Sequence, residues 1–280
     1  MNLTYVIPDI HGRNDLLGEG LAEIAAHSRG VPGIIVTIGD YVDKGPGSKE
    51  VVERLLSGVG EGWGLVALKG NHDAMMVEAL RDPSKMAAWI AKGGDAALAS
   101  YGGDPAAVPQ THIDWLDGLR LMHVDAHRLY VHAGVDPEIP LDRQGETTLL
   151  WKRYPKGFSG GYGKLHVVHG HDNFPDGPLL YDGRTNLDTL AWRTGRLTIG
   201  VFDDDRAGGP VDIIVIKGSP AVRSPRRRRR PYWGFRLGML GIWGSGRALQ
   251  KGRRRRKRCD RVIGKHGCEE KIILRCVLRS

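Results

Sequence analysis

Residues 3–12 read LTYVIPDIHG, and this stretch sets the pattern for the first third of the chain. Leu3 to Ile7 is mostly apolar and rich in β-branched residues, and Pro8 stops the run. A polar turn through Asp9 and His11 then precedes apolar residues at helical spacing, Leu16, Leu17, Leu21, Ile24 and Ala25. The order predicts strand, loop, helix, and it recurs twice. Val31 to Ile38 is a buried-strand run that ends in Gly39 and Asp40 and leads to a helix through Val51, Val52, Leu55 and Leu56. Trp63 to Leu68 is followed by a loop from Lys69 to Asp73 and a helix from Met75 to Leu80. Alternating elements of this length predict a layered α/β domain with helices packed on a sheet. Further strands are expected at Arg128 to His132, Leu165 to His169, Leu190 to Trp192, Leu197 to Phe202 and Val211 to Ile216, forming a second sheet. Pro83 to Leu121 reads as helical and polar, a cap or insert without chemistry of its own.

With 280 residues, 41% of them hydrophobic, the chain can bury a sizeable core. Its formal net charge of +9 conceals a division. Ser219 to Ser280 carries 20 Lys/Arg against 3 Asp/Glu, which leaves 21 against 29 for residues 1–218. The predicted folding unit, residues 1–218, is therefore acidic, and residues 219–280 form a basic, disordered extension. Cys259, Cys268 and Cys276 all lie in that extension, so no disulfide framework holds the domain, and a reducing cytoplasm is the expected compartment. The N-terminus lacks a charged region followed by an apolar one, which argues against a cleaved signal. No run approaches 18 uninterrupted apolar residues, so no transmembrane segment is expected.

Aspartate, histidine and asparagine recur where the strands end: Asp9 and His11, Asp40 and Asp43, Asn71, His72 and Asp73, His132, and His171. The C-terminal edge of a sheet is where separate segments can aim side chains at a common point. Taken singly, an Asp-x-His pair in a loop is more often a turn than a ligand; five such pieces in order, each after an apolar run, are a site. Oxygen and imidazole donors without thiolate suit manganese, iron or zinc. Two such ions about 3.5–4 Å apart, bridged by a carboxylate, can generate hydroxide near neutral pH and clamp an in-line phosphoryl transfer. Asp40 is the candidate bridge.

Together DIHG (9–12), GDYVDKG (39–45), GNHD (70–73), the histidine of VHAG (131–134) and the later GH pair (170–171) resemble the PPP family of metal-dependent serine/threonine phosphatases. The likeness is greatest to its compact bacterial and phage members and spans residues 3 to about 217. It implies a metallophosphoesterase α/β (α+β) fold: a four-layer sandwich of two mixed β-sheets flanked by helices. It further implies two divalent metal ions, manganese by preference, with iron or zinc as alternatives. Asp9, His11 and Asp40 would hold one ion, and Asp40, Asn71, His132 and His171 the other.

His72 would be the general acid, oriented by Asp43, and a metal-bridging hydroxide would attack phosphorus. Lys44, Arg153 and Asn71 would bind the phosphate. Trp151-Lys152-Arg153 matches the family's W-x-R, but Lys44 stands where the family has arginine and lacks the planar fork that grips phosphate at two points. Asp73 in place of glutamate, and Pro8 where a small residue is usual, look tolerable.

The expected activity is hydrolysis of phosphomonoesters, on a phosphoserine or phosphothreonine protein or a small phosphorylated molecule. Symmetrical cleavage of diadenosine tetraphosphate is the alternative within the family. The alternative of another class is a polyanion-binding protein acting through the basic tail, the one expected route to nucleic acid. His27, His112, His123 and His127 lack companion ligands and read as core or surface residues. His169 is assigned to the core rather than the metals, and Asp172, Asp203, Asp204 and Asp205 read as solvated turn residues. The three tail cysteines and His266 do not have zinc-site spacing.

Overall fold

The computed structural model describes residues 2–220. Among them are two five-stranded mixed sheets. The first has the order β10-β9-β1-β2-β3, built from β1 (Leu3–Ile7), β2 (Ile34–Thr37), β3 (Gly64–Ala67), β9 (Arg196–Asp203) and β10 (Asp212–Lys217). Strands β1, β2 and β3 run parallel, while β9 pairs antiparallel with β1 and β10 antiparallel with β9. The second has the order β4-β5-β6-β8-β7, built from β4 (Met122–Val124), β5 (Arg128–Val131), β6 (His166–His169), β7 (Leu179–Leu180) and β8 (Arg184–Asn186). Its three central strands β5, β6 and β8 are parallel, and each edge strand is antiparallel.

Side-chain alternation along each strand divides the core. Val6, Val36 and Ile38 of the first sheet meet Tyr130, Val168 and Leu187 of the second, with Phe202 and Leu68 in the same dry layer. Tyr5, Ile7 and Ile35 point the other way, to a helix-side core that includes Leu16, Leu17 and Ile24 of α1 (Asn14–His27) and Val51, Val52 and Leu55 of α2 (Ser48–Leu56). Leu129, Val131 and Val167 face outward on the second sheet and pack on Leu149 of α7 (Glu146–Trp151). A residue period of two therefore yields helix, sheet, sheet, helix, the four-layer arrangement expected.

Two expectations need correction. Leu190 to Trp192 is not a strand: Leu190 takes φ 54°, and Ala191–Thr194 forms a short helix, α8. The strand that pairs with β6 is Arg184–Asn186, whose Arg-Thr-Asn sequence has no apolar signal because its buried side chains bond to other groups instead. The segment from Pro83 to Leu121 is helical but not a detached polar cap. It comprises α4 (Met86–Trp89), a kinked connection (Ile90–Gly94), α5 (Asp95–Ser100) and α6 (Gln110–Gly118). Trp89, Leu98, Tyr101 and Leu116 join the same core as α1 and α2. The expectations for residues 221–280, including the tail cysteines, lie outside the described residues.

At the end of β5 far from His132, Arg128 ties the sheets together. It is fully buried and donates to the carbonyls of Asp203 (3.0 Å), Gly208 (3.1 Å) and Arg206, with its guanidinium over the Phe202 ring. Removing it leaves three carbonyls without their donor. Arg128→Ala is expected to lower the unfolding free energy by about 3 kcal/mol in urea titration, while the number of divalent ions bound stays the same.

Candidate functional site

The parallel strands of both sheets end at one edge, where loops from five strands converge. Asp9, His11, Asp40, Asp43, Asn71, His72, His132 and His171 are all buried there. Among the described residues, five of the seven non-glycine residues with positive φ belong to this edge: His11, Asp40, Asp43, Lys44 and His171. Such backbone is held only where surrounding contacts over-determine it, and it concentrates at functional sites.

Asp40 is the common element. Its Oδ2 lies 3.2 Å from His11 Nε2, and its Oδ1 lies 3.5 Å from His132 Nε2. Its own loop is held by Asp73, whose carboxylate accepts from the N–H groups of Gly70, Asp40 and Tyr41 at 2.8, 2.8 and 2.9 Å. This explains where α3 (Asn71–Arg81) begins. Residues 69–73 are not all loop as expected: Asp73 sits in the first turn and accepts the N–H of Gly70, one of the donors a helix start leaves open. The His72 N–H in the same turn donates to Asp40 Oδ1 at 2.9 Å. A Cβ at Gly70 would collide with the Asp40 backbone nitrogen and carboxylate, so only glycine permits this approach.

The imidazoles are locked by backbone carbonyls. His11 Nδ1–H donates to Val42 O (2.8 Å) and His132 Nδ1–H to Ile38 O (2.9 Å), which turns both Nε2 lone pairs inward. His132 Nε2 then faces Asn71 Oδ1 at 2.9 Å, and His171 Nδ1 faces the same oxygen at 3.1 Å. The His171 backbone N–H points at both Asp9 oxygens, 3.2 Å from each. In the neutral imidazoles, acceptor therefore faces acceptor at His11–Asp40 and at His132–Asn71. Cations between them would satisfy all of these atoms, so the donor set fits divalent metal. Two groups bring their ligand atoms within 4.8 Å of one another, Asp9 with Asp40 and His132, and His11 with Asp40 and His72.

Burial and charge act accordingly. Burial, and then the Asp40 charge, push the Asp9 carboxyl up to about 8. Burial opposes ionisation of Asp40 too, but His132, His72 and His11 outweigh it and hold its carboxyl well below the usual range. Burial, then the Lys44 charge, lowers His11, and burial with His132 lowers His171 to about 3, leaving both as neutral donors of lone pairs.

His72 differs from the other imidazoles. Its Nδ1 is 2.6 Å from Asp43 Oδ2, which leaves Nε2 without a protein partner among the described residues. Asp43 also accepts from Trp89 Nε1, a contact that the sequence reading missed when it assigned no chemistry to residues 83–121. Lys44 reaches inward to His11 Nε2 at 2.8 Å and lies 5.7 Å from the Trp192 ring centre. Arg153 stands at the rim, exposed, donating to Asp172 at 3.0 Å. Asp172 is thus half-buried rather than a solvated turn residue, and Asp203 is fully buried.

Asp188 is a second residue the sequence reading passed over. It is buried near Asp9, its carboxyl raised well above the usual range by burial and then by the Asp9 charge. No apolar run precedes it, so nothing marked it. His169 is buried against Gly170 O and Arg184, away from the donor cluster.

This arrangement, acidic and imidazole donors gathered at the edge of a double-sheet sandwich, is that of a metallophosphoesterase. The family model for calcineurin-like phosphoesterases matches residues 3–202, and the chain belongs to that family. The family uses divalent metal ions. The chain is 26% identical over 211 residues to serine/threonine-protein phosphatase 2 of Escherichia coli (strain K12), covering 69% of this chain and 90% of that protein. Among solved structures it resembles a protein provisionally assigned as a diadenosine tetraphosphatase, with 24% identity, TM-score 0.57, and 80% of this chain and 95% of that one covered. It also resembles a Saccharomyces cerevisiae serine/threonine phosphatase similar to human PP5, with 15% identity, TM-score 0.52, and 80% and 82% covered. These structural likenesses establish the fold.

Asp73 gives the site's first test. In Asp73→Asn the second oxygen becomes an amide that cannot accept, so a backbone N–H at the Asp40 loop loses its partner. The expected loss is about 2 kcal/mol of unfolding free energy, with a weaker rise in melting temperature on adding manganese. An unchanged manganese response would show that the Asp40 loop does not depend on this carboxylate.

Proposed function

We propose that the chain is a metal-dependent phosphomonoesterase acting on phosphoserine or phosphothreonine in proteins. The observation that carries this reading is the His72–Asp43 pair, an imidazole held at Nδ1 by a buried carboxylate with Nε2 free, directly beside the acceptor cluster. Asp9, His11 and Asp40 would hold one ion, and Asp40, Asn71, His132 and His171 the other, with manganese the metal that suits this thiolate-free donor set. The ions, when bound, supply Lewis acidity that makes water a nucleophile near neutral pH and clamps the phosphoryl oxygens.

The protein's own groups do the rest. Lys44 and Arg153 neutralise phosphoryl oxygens, and the Asn71 amide joins them as a donor. Lys44 must leave His11 Nε2 to do so, and its flexible stem permits that. As the imidazolium, His72 gives its Nε2 proton to the departing serine or threonine oxygen, while Asp43 accepts from Nδ1–H, orients the ring and stabilises its charge. Burial pushes the Asp43 carboxyl up to about 6 against the hydrogen bonds from His72 and Trp89. The similarity to the Escherichia coli phosphatase supports a protein substrate.

Cleavage of diadenosine tetraphosphate is the second reading. Two indoles lie near the donor array, exposed Trp151 6.1 Å from the His171 ring and Trp192 5.7 Å from Lys44 Nζ. Flat apolar surfaces in these places would suit adenine.

We assign catalysis to residues 1–218 and a reducing cytoplasm as the site of action. No helix among the described residues is long and apolar enough to cross a membrane. Ser219 O accepts from Arg13, so a truncation that keeps Pro220 is the conservative one.

The deciding experiment compares the full chain on a phosphoserine peptide and on diadenosine tetraphosphate, with manganese and after chelation. Manganese-dependent release of phosphate from the peptide supports the proposal; turnover of the dinucleotide alone selects the second reading. His72→Asn is expected to lower kcat on the peptide by about 10²-fold or more. Lys44→Ala is expected to raise the inhibition constant of inorganic phosphate about tenfold, the loss of one charge-assisted bond.

A further inference from the structure

The segment between residues 83 and 121 sends one side chain into the site. Helix α4 ends at Trp89, and the backbone then turns through Ile90–Gly94, kinked at Gly93, whose φ of 112° lies outside the helical range. Trp89 is 1% exposed, and its Nε1–H lies 2.9 Å from Asp43 Oδ1 and 3.0 Å from Oδ2. Near-equal distances put the donor on the bisector of the carboxylate, where it grips both oxygens. Oδ2 also receives His72 Nδ1–H, whereas Oδ1 has no other hydrogen-bond partner among the described residues. The same turn holds the next residue, since the Lys44 N–H donates to Gly93 O at 3.1 Å.

The grip matters because the torsion at the end of an aspartate is soft. Held by His72 alone, the Asp43 carboxylate could turn about its Cβ–Cγ bond and swing Oδ2, tipping the imidazole with it. The indole is rigid and packed among core side chains, so its N–H direction is set by the fold rather than by the site. Gly94 completes the device, because a Cβ there would fall on the Trp89 ring.

We propose that Trp89 is a positioning residue of the hydrolysis: its indole N–H fixes the Asp43 carboxylate and, through it, the direction in which His72 presents its proton. This rests on the reading of His72 as the proton donor. A proton donor matters most when the leaving group is a poor one, such as the serine oxygen of a phosphopeptide. It matters least for the acidic phenol of p-nitrophenyl phosphate. Loss of positioning therefore has a signature that loss of packing lacks.

The experiment uses the full chain loaded with manganese and measures kcat and KM on both substrates for wild type, Trp89→Phe, Asp43→Asn and the double variant. Trp89→Phe is expected to lower kcat on the phosphoserine peptide about tenfold and on p-nitrophenyl phosphate less than about threefold, with KM unchanged. In the Asp43→Asn background it should add nothing. Equal losses on both substrates, or losses that multiply, would overturn the proposal and leave Trp89 a core residue.

His72→Asn is run beside them. If its loss is no greater on the peptide than on p-nitrophenyl phosphate, the proton-donor reading itself falls, and the Trp89 proposal with it. Should Trp89→Phe not fold, Gly94→Ala replaces it. Gly94 has φ −63° and ψ −18°, which alanine accepts, so the added methyl acts only by pressing on the indole. The same peptide-selective loss is expected, and an unselective loss would overturn the proposal.

Discussion

Asp40 is a carboxylate buried where each oxygen faces a different imidazole, and most of this edge of the molecule is organised around keeping it there. Its carbonyl accepts the N–H groups of Ile10 and His11 at 3.1 and 2.8 Å, its N–H donates to Asp73, and its Oδ1 accepts the first-turn N–H of His72. The loop after β1, the loop after β2 and the start of α3 are thereby one unit. Burying a carboxylate among acceptors is costly unless positive charge compensates it. Burial favours the neutral form of His11 and His171, whose lone pairs then face the oxygens of Asp40 and Asn71, and this suits the cluster to cations.

The sandwich makes this possible by what it does at both ends of β5. At one end His132 follows the strand and donates through Nδ1 to Ile38 O of the first sheet, so the second sheet's imidazole is oriented by the first sheet's backbone. At the other end Arg128 fastens the same strand to the turn beyond β9. Between them lies the dry layer of Val6, Val36, Tyr130, Val168 and Phe202. The spacing of the two sheets, set by these apolar side chains, fixes how close His132 and His171 come to Asp40 and Asp9.

The second organising contact is Asp43, which faces away from the donor cluster toward the helical segment. It is fully buried, at φ 73°, with its N–H on Ser48 Oγ and its carboxylate shared between His72 and Trp89. Lys44 follows it at φ 65°. Two neighbouring left-handed residues turn one side chain toward His72 and the next toward His11, an arrangement a regular strand or helix would not give.

The sequence by itself determined the layers and the members of the cluster, because both are written in local periodicity. Apolar runs ending in Asp, His or Asn placed β1, β2, β3, β5 and β6 and named the Asp, His and Asn residues of the loops that follow them, though not Asp188 or Trp89. Tertiary structure alone decided the rest. Strand β8 carries Arg-Thr-Asn, whose burial is satisfied by partners far along the chain, so hydropathy could not find it; Leu190 to Trp192 is apolar but turns instead. Trp89 and Asp43 are 46 residues apart and Asp188 approaches Asp9 from the far end of the domain, so neither pair has a spacing to read. A hydrogen bond's partner, unlike a face of a helix or strand, is fixed by where the chain returns in space, and that is known only once the two sheets have packed.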